Sequence, residues 1–325
     1  MRNAFVTGGS GFVGRLLIRR LAAQNVRVVA LVRNEAAAAA VKKAGAEPYR
    51  GDLQDERAIT EGMRGCDTVF HIAGHLREWD SYEVFYTANV VGTRTVLAAA
   101  KAAGVSTFVA TGAAAVVQGR PMPMKDISED VPLQAPSWGP YIKTKAEADQ
   151  MVRQANTPEL HTVVIRPALI WGEGMPMLDE MVAAAEGGQF ALPDGGRQVM
   201  STSHVDNVVG CLILAAEKGR GGEAYYVTDG PDSTLKKVLN DLLETRGVPP
   251  IKRSVPFSVA WRMAAIIEGI WRLFGIRSKP PITRQTLRLI GQDFTLNITK
   301  ARRDLGYVPV ISWAEGIARM HGQRR

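Results

Sequence analysis

The chain has 325 residues, 46% hydrophobic and 22% charged, with two cysteines and a net charge of +8. This suits a globular α/β protein with one large core, alone or with a smaller lobe, and excludes a fibrous or disordered chain. Cys66 and Cys211 form neither a disulfide framework nor a metal-ligand spacing, so a reducing cytoplasmic setting is expected, and no uncharged apolar run is long enough to span a membrane.

Residues 4–14 read as a short strand, Ala4–Val6, that runs into a glycine loop and then a helix around 12–24. Gly9, Gly11 and Gly14 fit the spacing G-x-G-x-x-G. Each glycine has a use: a tight turn, close backbone approach to a pyrophosphate, and close packing of helix on strand. The helix start then offers free N–H groups to phosphates. Because residues 1–14 already serve this purpose, no secretory leader is expected. The next strand, Val26–Val32, ends at Arg33 with no acid to hold a ribose 2′-hydroxyl. A guanidinium there suits a 2′-phosphate, so NADP(H) is expected over NAD(H).

Further strands are expected at Thr68–His71, Thr107–Thr111, Thr162–Arg166 and Ala224–Thr228, with helices around 35–44, 55–62, 82–103 and 141–155. Such alternation predicts a doubly wound parallel sheet of the Rossmann type. Its ligand belongs at the carboxyl ends of the strands. There Gly8–Gly14, Arg33, Asp52 and Ala73–Gly74 fall. The pattern loosens after Pro167. Residues 1–168, with 199–228 returning, are assigned to dinucleotide binding, and 169–198 with 229–325 to a substrate lobe. Met175, Met177 and Met181 mark an apolar entry.

On a helix over 257–276, Arg262, Ala265, Glu268, Gly269 and Arg272 share one stripe, with Glu268 and Arg272 spaced to pair. The remaining surface is apolar and carries Trp261, Trp271 and Phe274. Lys252, Arg253, Arg277 and Lys279 flank it. The segment reads as a core or dimer helix first, and otherwise as a lid over an apolar substrate or a peripheral membrane contact. From Arg246 to Arg325 there are 15 Lys and Arg against 4 Asp and Glu, a net of +11, which leaves −3 for the rest. No nucleic-acid-binding motif accompanies this charge, so no nucleic-acid partner is expected.

Tyr141 and Lys145 stand one helical turn apart. A free phenol titrates near ~10, too high for a proton shuttle at neutral pH. The neighbouring ammonium is expected to lower that value, and it can also reach a nucleotide ribose.

With these residues in place, the chain resembles an extended short-chain dehydrogenase/reductase of the epimerase/dehydratase superfamily. The resemblance covers essentially its whole length. Thr7-Gly-Gly-Ser-Gly-Phe-Val-Gly14 is similar to the family's cofactor loop, which implies Thr7, Gly8, Gly9, Ser10, Gly11, Phe12, Val13 and Gly14 as cofactor contacts. Gly51-Asp52-Leu53 is similar to its adenine-contacting step. Val69-Phe-His-Ile-Ala-Gly74 is similar to the strand end beside the cofactor, where Ala73 and Gly74 lie. Asn89-Val-Val-Gly-Thr93 matches a segment with a structural asparagine. Ile165-Arg-Pro-Ala-Leu-Ile-Trp-Gly172, with Pro167 at the cofactor, resembles the stretch leading to the substrate lobe. His204-Val-Asp-Asn-Val-Val209 resembles a helix that packs back on the core. Trp79–Val96, the apolar 257–276 segment and Lys300–Tyr307 look most like the 3β-hydroxysteroid and sterol dehydrogenase branch.

The resemblance implies reversible hydride transfer between a nicotinamide and a ketone or secondary alcohol on an apolar, steroid-like or aromatic substrate. Tyr141 would move the proton, and Lys145 would hold the ribose. It also suggests a homodimer through helices around 86–103 and 141–155. One position departs from the pattern. A Ser or Thr usually follows the strand here ending at Thr111, and this chain has Ala113, which donates no hydrogen bond. Thr111 and Ser137 are the nearest substitutes. The gap keeps two alternatives open: a nucleotide-sugar epimerase or dehydratase, and a non-catalytic NADP(H)-binding protein.

Overall fold

The structure, a computed structural model, describes residues 1–76, 79–136, 138–188, 190–276 and 278–322. Its strands in chain order begin with β1 (Asn3–Thr7), β2 (Arg27–Val32), β3 (Glu47–Arg50), β4 (Thr68–His71) and β5 (Thr107–Thr111). β6 (Met124–Ile127), β7 (His161–Pro167), β8 (Leu169–Trp171), β9 (Leu192–Pro193) and β10 (Val199–Met200) follow. The last are β11 (Thr202–His204), β12 (Glu223–Val227), β13 (Ser233–Thr234), β14 (Ser254–Val255) and β15 (Phe294–Leu296).

Seven strands form one sheet in the order β12-β7-β5-β4-β1-β2-β3. Every neighbouring pair in it is parallel. Strand alternation sends Ala4 and Val6 to one face and Phe5 to the other. The first face is covered by α1 (Phe12–Ala23), α2 (Glu35–Ala44) and a later helix over 205–218. The second carries α3 (Glu56–Gly62) and the helices over 92–102 and 140–154. Both faces are thus buried, as a parallel sheet requires. The doubly wound fold is as expected.

Two elements differ from the sequence expectation. β3 was not expected. Its Glu-Pro-Tyr-Arg sequence is half-buried or exposed, because it is an edge strand, where Pro48 costs no inner ladder bond. At the opposite edge, β12 is buried and its Tyr226 N–H donates to a Glu129 carboxylate oxygen at 2.6 Å. The helix expected over 82–103 is three pieces: α4 (Tyr82–Tyr86), a π-helical turn over Thr87–Val91, and α5 (Gly92–Ala102). The inserted turn leaves the apolar pattern helical, so only the structure reveals it.

The remaining helices used below are α6 (Pro140–Gln154), α7 (Met177–Glu186), α8 (Val205–Lys218), α9 (Leu235–Glu244), α10 (Phe257–Leu273) and α11 (Arg284–Ile290). A second sheet has the order β13-β10-β15-β6, and its Met124, Phe294 and Leu296 pack into the same core as the first face of the central sheet. It takes in β6 and β10, two pieces that the sequence assigned to the dinucleotide-binding part. Met175 and Met181 are buried in a separate core with Trp171 and Leu178, so they pack rather than open an entry, and only Met177 is exposed.

Candidate active site

The expected cofactor residues gather along one edge of the sheet. Thr7–Gly14 follow β1, Arg33 follows β2, Asp52 and Leu53 follow β3, Ala73 and Gly74 follow β4, and Thr111 and Pro167 end β5 and β7. This crest spans the point between β1 and β4 where the strand order reverses, the place where such sheets bind nucleotides. The glycine loop has no space for side chains. A Cβ on Gly14 would stand 2.2 Å from the Gly8 carbonyl oxygen, and one on Gly8, with φ of +71°, would stand 2.7 Å from the Ala73 nitrogen. α1 begins at Gly11 without a side-chain cap, so its first-turn N–H groups remain available to an anion. A pyrophosphate fits these donors and this shape. Arg33 is exposed at the end of β2, and the nearest acid in sequence, Glu35, pairs with Arg50 at 2.6 Å.

Tyr141 and Lys145 lie on α6 above β4 and β5. The Lys145 ammonium donates to the Thr111 carbonyl at 2.6 Å. A Cβ added to Gly74 would lie 3.8 Å from the Lys145 Nζ and 3.3 Å from the Asn89 Oδ1, so the loop after β4 passes between these groups. Burial lowers the Lys145 ammonium to about 8, and the Asp149 carboxylate one turn further along opposes that shift. The expected lowering of the Tyr141 phenol is reversed in the ligand-free protein: burial pushes it above its ordinary value. Desolvation of the phenolate outweighs the neighbouring cation, whose charge is turned toward Thr111.

Thr111 therefore contributes through its carbonyl, while its buried hydroxyl has no hydrogen-bond partner among the described residues. Ala113 is buried, and Ala114 and Ala115 after it add no donor either. Ser137 lies outside the described residues.

A buried polar chain joins the elements of the crest; Thr7 and Asn89 were named from the sequence, but their connection through His71, Thr93 and Thr144 was not. Thr93 donates to the Asn89 carbonyl at 2.6 Å, so its oxygen accepts from His71 Nε2 at 3.0 Å. His71 Nδ1 then accepts from the Thr7 hydroxyl at 2.8 Å, and the Ala73 N–H donates to that same hydroxyl at 3.3 Å. Asn89 extends the chain. Its Oδ1 accepts from the His75 N–H at 2.7 Å, and its Nδ2 donates to Thr144 Oγ1, between Tyr141 and Lys145, at 3.1 Å. The π-helical turn is what carries Asn89 into this position.

Only neutral His71 fits these partners. Burial, with the Lys145 ammonium, holds its imidazole down at about 3. An unfolded histidine titrates near ~6.5. The native state thus refuses a proton that the unfolded state takes, so stability is complete above the unfolded value and declines as pH falls through the window toward about 3. Urea midpoints across that window are expected to fall for the wild type and to fall less steeply for His71→Asn. Equal slopes refute this.

α10 and α11 close the site from above. Glu268, expected to pair with Arg272, is buried and instead accepts from the Arg284 backbone N–H and Nε at 2.6 and 2.8 Å. Arg284 lies over the Trp138 ring, 5.5 Å from its centroid, and Trp138 meets Trp261 edge-on at 5.2 Å. Gln285 accepts from the Tyr141 backbone N–H at 3.3 Å. These contacts brace the start of α6. Arg272 lies 5.7 Å from the Trp79 ring, in the loop after β4. Tyr141 packs against aromatic neighbours: buried Phe85 stands edge-on at 6.5 Å between centroids, with His75 packed on Phe85 at 4.9 Å. Among the described residues no acid, histidine and cysteine cluster suited to a metal ion occurs.

A model of the 3-beta hydroxysteroid dehydrogenase/isomerase family matches residues 5–257. The chain belongs to this family. A 4-hydroxy-2-methyl-3-oxo-4-farnesyl-3,4-dihydroquinoline-1-oxide ketoreductase from Stigmatella aurantiaca is 42% identical, over 96% of this chain and 94% of its own. A 2-alkyl-3-oxoalkanoate reductase from Stenotrophomonas maltophilia is 34% identical over 97% of each chain. The crystal structure of a dTDP-glucose 4,6-dehydratase from Streptomyces venezuelae, with NAD bound, superposes with a TM-score of 0.75 at 26% identity over 98% of this chain and 96% of its own. This member of the family is an enzyme, a ketone/alcohol oxidoreductase on a Rossmann fold with a site for a nicotinamide nucleotide.

Proposed function

We propose that the enzyme reduces a ketone to a secondary alcohol, or runs the reverse reaction, on an apolar substrate with NADP(H). The observation that carries this reading is Tyr141 and Lys145 on one face of α6, above the same strand ends that hold the glycine loop. The bound nicotinamide supplies or accepts the hydride. The chain supplies the rest. In reduction, Tyr141 gives its phenolic proton to the substrate oxygen, and in oxidation it takes one back. Lys145 turns from Thr111 toward the ribose and the phenol, where its charge favours the phenolate. The chain through Asn89 and Thr144 keeps the loop after β4 and the first turn of α6 in register. With Ala113 offering no donor, Tyr141 is the main side-chain contact to the substrate oxygen.

An apolar substrate suits the aromatic surroundings of Trp79, Phe85, Trp138 and Trp261. The farnesylated quinoline and the alkyl oxoalkanoate in the two relatives' names agree with it. The test is purified protein, NADPH and a panel of long-chain alkyl and aromatic ketones, steroids and nucleotide sugars, with absorbance of the reduced cofactor followed. Oxidation of NADPH by the apolar ketones supports the reading. Sugar conversion without net cofactor change, or binding with no turnover across the panel, refutes it.

The NADP(H) preference rests on Arg33 and the absence of a free acid at the end of β2; the dehydratase named above carries NAD. A lost charge-assisted contact of about 1.5–3 kcal/mol means that Arg33→Gln should weaken NADPH binding by roughly ten- to a hundredfold. NADH binding should stay unchanged. Fluorescence titration of both cofactors checks this, and tighter NADH than NADPH in the wild type refutes it.

A further inference from the structure

Large hydrophobic side chains left in water concentrate on the outside of α10. Val259, Met263, Ile266, Ile270, Leu273 and, one residue past the helix, Phe274 are between 41% and 80% exposed. At 3.6 residues per turn they fall within an arc of about 100°. The opposite arc is the structural one: Ala260, Ala264 and Glu268 are buried there, with Trp261 packed beside them. The outer arc lines neither the cleft nor the core.

The polar groups beside this stripe are cations. Arg262 is exposed at its border, about 20° round the helix from Leu273, and Lys252 and Arg253 are exposed just before the helix, while Arg272 lies further round, over the Trp79 ring. The helix contains one acid, Glu268, and that carboxylate is buried against Arg284. The face thus offers apolar bulk and uncompensated positive charge. A second copy of the chain placed on it about a twofold axis would bring Arg262 and Lys252 toward cations, with no exposed acid on the helix to meet them. No described helix is long and apolar enough to cross a membrane. A helix with one apolar arc and cations at its border lies in the interface of an anionic bilayer.

We propose that the outer face of α10 docks on an anionic lipid bilayer, with Ile266, Leu273 and Phe274 inserted among the acyl chains and Arg262 and Lys252 at the headgroups. The inner face of the same helix meets Trp138, three residues before Tyr141, through Trp261. Docking therefore places the cleft beside the lipid, from which an apolar ketone can enter. That last consequence alone rests on the function proposed above; the docking does not.

The experiment is co-sedimentation of the purified protein with sucrose-loaded vesicles of phosphatidylcholine, with and without phosphatidylglycerol. The wild type is expected to sediment with the phosphatidylglycerol vesicles and to be released by salt. Ile266→Ser/Leu273→Ser/Phe274→Ser is expected to lose roughly a hundredfold or more in partitioning, since each large side chain leaves its apolar contact. Lys252→Gln/Arg262→Gln is expected to lose about fivefold per residue. Circular dichroism and reduction of a short, water-soluble ketone, both unchanged in the triple serine variant, establish that it is folded. Wild type remaining in the supernatant overturns the proposal, as does a folded triple variant that sediments like wild type. A wild-type dimer that becomes monomeric in the triple variant, with no vesicle binding, overturns it in favour of a second copy. Vesicle binding without turnover on any ketone leaves the docking standing and sinks the proposed reaction.

Discussion

Tyr141→Phe should lower ketone turnover by about a hundred- to ten-thousandfold, the range contributed by a positioned general acid. The substitution removes one oxygen and keeps the ring on Phe85, whose centroid stands 6.5 Å away. NADPH affinity is expected to stay within a factor of about two, because the glycine loop, Arg33 and Lys145 are untouched. Stopped-flow turnover and a fluorescence titration separate the two effects. The pH profile adds a second check. The Lys145 ammonium of the ligand-free enzyme sits at about 8, so its charge is complete below that pH and disappears above it. kcat/KM should fall on the alkaline side, and Lys145→Met should remove that limb. Tyr141→Phe retaining most of the turnover would assign the proton to another group.

The second large effect concerns stability. Arg166 and Asp149 are fully buried and joined by two hydrogen bonds, from Nε at 2.8 Å and Nη2 at 2.7 Å. Tyr226 lies beside the pair, with the Arg166 guanidinium carbon 5.8 Å from its ring centroid. Two ions out of water gain little net stability from each other, but one left alone costs about 3–5 kcal/mol. Arg166→Met is therefore expected to destabilise by that amount in urea unfolding. Arg166→Met/Asp149→Leu should recover most of the loss. The double variant carries a further signature. Asp149 supports the charge on Lys145, so its removal should move the alkaline limb of the activity profile to lower pH while stability stays near wild type. Additive losses in the double variant would show that the pair is not a coupled unit.

How far the sequence carried depended on the range of each interaction. The glycine loop was legible because its requirement is local: a Cβ on Gly14 collides with a carbonyl six residues away. Arg33, Tyr141 and Lys145 were legible for the same reason, since the end of a strand and one turn of helix are read from neighbouring residues. β3 escaped because an edge strand needs no apolar run, and its Pro48 reads as a loop. The π-helical turn escaped because one extra residue in a helix does not break the pattern around it. Glu268 was assigned to Arg272, four positions on, while its partner is Arg284, sixteen positions on, held there by the packing of α11 on α10. The hydrogen-bond chain through His71 joins residues up to 66 positions apart in a single bond and has no periodic signature. The direction of the Tyr141 shift was missed because charge is visible in a sequence and burial is not.

The two margins of the central sheet bear on how the protein behaves when crowded. An open strand margin is a template on which another chain can grow. At one margin, β3 is four residues long, lacks one N–H at Pro48 and carries Glu47 and Arg50 at its ends. At the other, the Glu129 carboxylate takes the outward N–H of Tyr226 on β12. Neither margin leaves a long, flat row of donors and acceptors. The central sheet thus gives another chain no long margin on which to add strand by strand.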